Sequence, residues 1–339
     1  MQTIFSFFSV CLQGRVRFSL FVLYALCGLV AKPAGAWQIK ESKQRYAKFL
    51  ERWIVELESQ VQELVRLEAL GNVVEGERDF NEALLAAIQY ESKRLARDGE
   101  QAEKHLREFI NIEQRRLERL KPLRRMNAVP AITMTHVRSG FHFGKFHLAT
   151  LKGQPPQVLE QLREFVRLSE QEVESYQAAV SSNSVSPCEV SVANHQLLFA
   201  RYLLGKRHGN FETILPKIRD INERLKSDWL AAKKLHERRL ITLLDAYTME
   251  LYYLESQLLI AAIEGAKELM ADLLRQRIEL HNRVLAKGRE VGWGPTVALY
   301  SQVNLESLLS CSSAFDQFLL DRLKATGEFT YESMLLFGL

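Results

Sequence analysis

The strictest pattern in this chain is a seam: Leu159, Leu162, Val166, Ser169, Val173, Tyr176 and Val180 follow one another at alternating spacings of three and four. Only an α-helix, with 3.6 residues per turn, brings such positions onto one stripe. A seam this narrow favours a single partner helix, as in a coiled coil, over a broad core face. The same three-and-four spacing recurs along most of the chain. It places a helix over Tyr46, Leu50, Trp53, Ile54, Leu57, Val61, Leu64 and Leu67, which Gly71-Asn72 ends. A second helix, capped by Asp79, runs through Leu84, Leu85, Ile88, Leu95, Leu106, Phe109, Ile110, Leu117 and Leu120 to Pro122, with Gly99 as a break within it. The short turn between the two makes them an antiparallel hairpin.

The longest pattern begins after Pro216. It carries Ile218, Ile221, Leu225, Trp229, Leu240, Leu244, Tyr247, Leu251, Leu254 and Leu258, resumes past Gly265, and ends near Gly288. A continuous helix from Lys217 to Lys287 would be roughly 105 Å long at ~1.5 Å per residue. Lengths of that kind belong to rods and coiled coils.

One stretch departs from the helical pattern. From Arg119 to Leu159 there are seven Lys/Arg, three His and no Asp or Glu. Ala131–Arg138 alternates and is rich in β-branched residues, Ser139-Gly140 reads as a two-residue turn, and Phe141–Leu148 follows. The reading is a β-hairpin at 131–148 inserted between helices. The fold class that emerges is mainly α: an elongated antiparallel bundle or coiled coil with a small β-hairpin. Its parts are 1–36 a signal peptide, 37–121 a helical hairpin, 122–156 the basic insertion, and 157–339 a bundle containing the very long segment 217–287.

The leader carries Arg15 and Arg17 ahead of an uncharged apolar run, Phe18–Ala31, and then Ala34-Gly35-Ala36. This is a secretory signal cleaved after Ala36, and the rival reading is an uncleaved anchor in the inner membrane. The expected location is therefore periplasmic or extracellular. Past the leader only Cys188 and Cys311 remain. In an oxidising compartment they form a disulfide if the fold brings them together, and the other reading leaves Cys311 a buried free thiol.

The formal net charge is +4, but residues 1–36 hold Arg15, Arg17 and Lys32 without an acid, so the body is close to neutral. That excludes the basic excess of a nucleic-acid protein. The chain has no CxxC, GxSxG, GxGxxG or Glu-x-x-His, and His236-Glu-Arg-Arg-Leu240 fails HExxH at its last place. No catalytic residue, cofactor or metal is expected. In the hairpin register His136 and His147 would lie roughly 13 Å apart at ~3.3 Å per residue, too far to share an ion.

Two functions follow. The first is an exported, non-enzymatic structural or interaction protein that associates with a protein partner or with itself through helical seams. The second is a peripheral module that binds an anionic membrane surface through 119–159. Its contact residues would be Arg119, Lys121, Arg124, Arg125, Arg138, Phe141, Phe143, Lys145, Phe146 and Lys152, an apolar tip with cationic flanks. The competing reading pairs these cations with acids of other helices, Glu170, Glu172 and Glu174 among them.

Overall fold

A computed structural model describes residues 34–71, 77–126, 131–181, 187–291 and 305–331. The described residues are helical almost throughout: α1 Ala34–Ala69, α2 Glu77–Ala96, α3 Gly99–Arg125, α4 Ala131–Leu151, α5 Pro155–Ser181, α6 Pro187–His208, α7 Leu215–Glu237, α8 Leu243–Glu264, α9 Lys267–Val291 and α10 Leu305–Thr326. Each helix packs against its neighbours in sequence, and α10 packs against α1, so the circuit of helices closes on itself. A further contact ties α6 to α8. The result is a helical bundle with one continuous core, into which Tyr331, beyond α10, inserts with no exposed surface. The leader lies outside the described residues, as does residue 72 of the first turn.

The β-hairpin is replaced by a helix. Ala131–Leu151 forms α4, and there is no strand among the described residues. The alternation in 131–138 is short, whereas Met134, Val137, Ser139, Phe143, Phe146 and His147 are all buried at helical spacing between α3 and α5. A two-stranded ribbon there would leave edge amides unpaired inside the bundle, and a helix pairs its own. Ser139-Gly140 reads as a turn because glycine permits one. Its use here is close approach. Gly140 lies beside the Glu113 side chain, and a Cβ at Gly144 would sit 2.9 Å from the Phe109 ring and 3.0 Å from Ile110. Gly144→Val is therefore expected to overpack the α3–α4 contact and to cost about 1–3 kcal/mol in urea unfolding. An unchanged midpoint would mean that α3 and α4 are not packed this closely.

The long segment 217–287 is three helices rather than one. Arg239, with φ of 60°, turns the chain between α7 and α8, and Gly265, with φ of 70°, does so between α8 and α9. The start of α8 is fixed by a reciprocal cap: the Thr242 hydroxyl accepts from the Asp245 N–H at 3.1 Å, and the Asp245 carboxylate accepts from the Thr242 N–H at 3.1 Å. The expected 105 Å rod is thereby folded back on itself. The seam of α5 is likewise inside the chain. Leu162, Ser169 and Val173 are buried, and Leu159, Val166 and Tyr176 half-buried, with α4 and α6 as the neighbours of α5.

Asp79 does not cap a helix. It lies within α2 at 2% exposure and binds Arg119 of α3 at 2.9 Å. Asp98 caps α3 instead, accepting from the Gln101 N–H at 3.2 Å. Pro122 does not stop α3, which continues to Arg125. Arg124 and Arg125 then stand at the C-terminal end of the helix dipole, where positive charge is favourable.

Candidate functional site

The cations of 119–159 are spread over two helices and their turns rather than gathered at a tip. Arg119 is paired with Asp79, Lys121 with Glu118 at 2.7 Å, and Lys152 with Glu103 at 3.2 Å. Phe143 and Phe146 are core residues. Phe143 packs on Phe165 at 5.2 Å and on Phe199 at 6.3 Å between ring centres. Phe141 is half-buried, with the Lys145 ammonium 4.2 Å above its ring. Arg124, Arg125 and Arg138 are exposed. His136 binds Glu172 of α5 at 3.1 Å, so Glu172, unlike Glu170 and Glu174, does answer the basic stretch. Burial opposes protonation of His136, but the Glu172 carboxylate outweighs it and raises the imidazole above its usual value. Cys311 is a buried free thiol that burial pushes well up; the side chain of Cys188 lies outside the described ones.

The densest chemistry is elsewhere, in an ionic centre in the core where α6, α8, α9, α10 and the C-terminal segment meet. Its members are His195, Tyr247, Glu255, Arg277, His281, Asp316 and Tyr331, all buried. Arg277 Nε lies 3.1 Å from Asp316 Oδ2, and Arg277 Nη1 donates to the Tyr331 hydroxyl at 2.9 Å. His281 joins Asp316 through Nε2 at 3.1 Å and Tyr247 through Nδ1 at 2.8 Å. Glu255 is flanked by His195 Nε2 at 3.1 Å and Arg277 at 4.0 Å, and the His195 ring stacks on Tyr252 at 4.1 Å. Burial alone would raise the Glu255 carboxyl, but His195 and Arg277 overcome it and hold it down at about 2. Burial pushes both tyrosine hydroxyls upward, and they remain neutral.

These residues sit on the apolar stripes of their helices. On α9 the buried series Met270, Leu273, Leu274, Arg277, Leu280, His281 and Val284 keeps helical spacing, with an arginine and a histidine where leucines belong. That was the signal in the sequence. An ionisable residue in register with an apolar stripe must find partners inside, because a buried charge without them is very unfavourable. Asp316–His281–Tyr247 has the order of a carboxylate–imidazole–hydroxyl relay. The relay links α8, α9 and α10.

A second polar group lies at the α2–α4 contact. The Tyr90 hydroxyl meets His147 Nδ1 at 3.2 Å, and burial together with Arg94 and Arg207 lowers His147 to about 3. A histidine with a depressed pKa takes up protons in the unfolded chain first. Its contribution is therefore complete above about pH 6.5 and is lost as pH falls from there toward 3. Between pH 6.5 and 4.5 the loss should be roughly 2–3 kcal/mol for this one group. His147→Gln removes the titration, so the stability gap between variant and parent in urea should shift by that amount as pH falls. A gap constant with pH would show that His147 is protonated in the folded chain.

On the outer face, α1, α2 and α3 border a cleft of about 950 Å³ lined by Arg78, Asp79, Glu82, Glu103, Arg107, Arg115 and Arg119. Its charges answer one another: Arg78 and Arg115 bind Glu82, Arg107 binds Glu103, and Arg119 binds Asp79. Among the described residues no group of three or more His, Cys, Asp or Glu is placed to hold a metal ion, and no helix is long and apolar enough to cross a membrane. Comparison with protein-family models, curated proteins and solved structures finds no match for this chain.

Proposed function

We propose that this chain is an exported, non-enzymatic helical interaction protein, a stiff scaffold that offers its outer surface to a protein partner or to a second copy. One observation carries the reading: the ionic centre ties four helices and the C-terminal segment together at full burial. Buried charge pairs add little net stability over apolar packing, and their best-attested use is to fix one arrangement among alternatives. A fold invested in one rigid arrangement suits a presenting surface. Export is supported by the leader pattern. The first buried side chains of α1 are Ser42 and Tyr46, while Trp37 is 65% exposed, so cleavage after Ala36 would remove none of the described core. Two measurements test the reading together. Sequencing of the protein from its host should begin at Trp37, and sedimentation over a range of concentrations should show a particle that associates without unfolding. A retained Met1 on membrane-bound protein would replace export with anchoring. A strictly monomeric particle that captures no partner would remove the interaction role.

The second reading, contact with an anionic surface through 119–159, keeps Arg125 and Arg138 as exposed cations. It loses the apolar tip, since Phe143 and Phe146 lie in the core. The same chemistry is better assembled elsewhere on the molecule.

A further inference from the structure

At the end of α7 and the start of α8 no residue between Ala232 and Tyr247 is fully buried, although Leu243 and Leu244 pack against the core. Arg239, in the left-handed conformation, turns the chain at the apex. Lys233, Lys234, Arg238 and Arg239 are exposed there, and none of the four side chains has an ion-pair or hydrogen-bond partner among the described residues. Many cations elsewhere on the surface answer acids one helical turn away, as in Arg66–Glu63, Arg107–Glu103 and Lys287–Glu290. The tip itself carries two acids, Glu237 and Asp245, and Asp245 is engaged in capping α8. Exposed leucines share the tip: Leu230 at 42%, Leu235 at 38% and Leu240 at 67%.

We propose that the α7–α8 tip docks on an anionic lipid surface. Lys233, Lys234, Arg238 and Arg239 would face the headgroup phosphates, and Leu240, flanked by Leu235, would enter the apolar boundary beneath them. A convex tip of long, unpaired cations around leucines matches a fluid, uniformly negative surface. A protein interface would deplete lysine and supply a fixed acid for each cation. The proposal is independent of whether the scaffold self-associates.

The test is co-sedimentation of the full chain with phosphatidylcholine vesicles, with and without phosphatidylglycerol, over a series of salt concentrations. Binding is expected only with the anionic lipid and should weaken steeply with salt. Each cation removed should lower the partition about five-fold, so Lys234→Gln with Arg238→Gln should lower it about 25-fold. Because the tip has no buried residue, this variant should keep the parent's circular dichroism and melting curve. Leu240→Ser should weaken binding without altering its salt dependence. Lys121→Gln with Arg125→Gln should leave binding unchanged. The proposal is overturned if anionic vesicles are not bound at low salt, or if the Lys234/Arg238 variant binds as the parent does. Retention on polyglutamate without vesicle binding would also overturn it and would assign the tip to an acidic protein.

Discussion

Asp316→Ala is expected to lower the unfolding free energy by about 3–5 kcal/mol, the cost of leaving a buried charge without its partner. Asp316 is fully buried and is the acceptor shared by Arg277 and His281, so its loss leaves the guanidinium, at 1% exposure, with Glu255 at 4.0 Å as its nearest carboxylate. That is a large part of the 5–15 kcal/mol on which a typical domain rests. The companion experiment separates the charge from the space it fills. Arg277→Met together with Asp316→Leu replaces the pair by apolar side chains and should be less harmful than either change alone. Urea unfolding followed by circular dichroism reads both. If Asp316→Ala costs under about 1 kcal/mol, the centre is hydrated and α9 is not tightly packed against α10. The centre should also make the fold sensitive to acid. Glu255, held at about 2, contributes stability that is complete above its ordinary carboxylate range and is lost progressively as pH falls from there to about 2.

Val173→Asp should be comparably damaging. Val173 is 6% exposed in the seam of α5, and a carboxylate there has no partner. The side chain would have to be buried neutral. Raising a carboxyl by 3–5 pKa units at about 1.4 kcal/mol each costs roughly 4–7 kcal/mol. The loss should not depend on protein concentration, because the seam packs inside the chain, with α4 and α6 beside α5. Thermal melts at widely separated concentrations decide between the two uses of the seam. A melting temperature that rises with concentration, or a variant as stable as the parent but no longer associated, would place the seam between copies.

Much of the helical content could be read from the sequence. The stripes through Tyr46, Leu50, Trp53 and Leu57, and through Leu162, Ser169 and Val173, are buried where their spacing puts them. Periodicity is a local property, set by the pitch of one helix, and needs no knowledge of partners. Where helices end is local too when a side chain marks it. Thr242-x-x-Asp245 is such a mark, masked in the sequence by the hydrophobic stripe that runs through it. Segment 131–148 misleads for the opposite reason. Over eight residues alternation and helical spacing overlap, and burial between α3 and α5 decided the matter by penalising unpaired amides.

What the sequence by itself determined was the helical class, the near-neutral body and the leader pattern, all carried by composition and spacing within single segments. Only the tertiary structure decided which charges are answered. Asp79 and Arg119 are 40 residues apart in the chain, and Arg277 and Tyr331 are 54 apart, yet each pair is in contact. The cations of 119–159 look unopposed in sequence, yet Arg119, Lys121 and Lys152 meet acids in space, whereas Lys233, Lys234, Arg238 and Arg239 have the exposed Glu237 beside them in sequence and stay unpaired. An ion pair depends on distances of 3–4 Å between side chains, and in a bundle those distances are set by which helices the packing brings together.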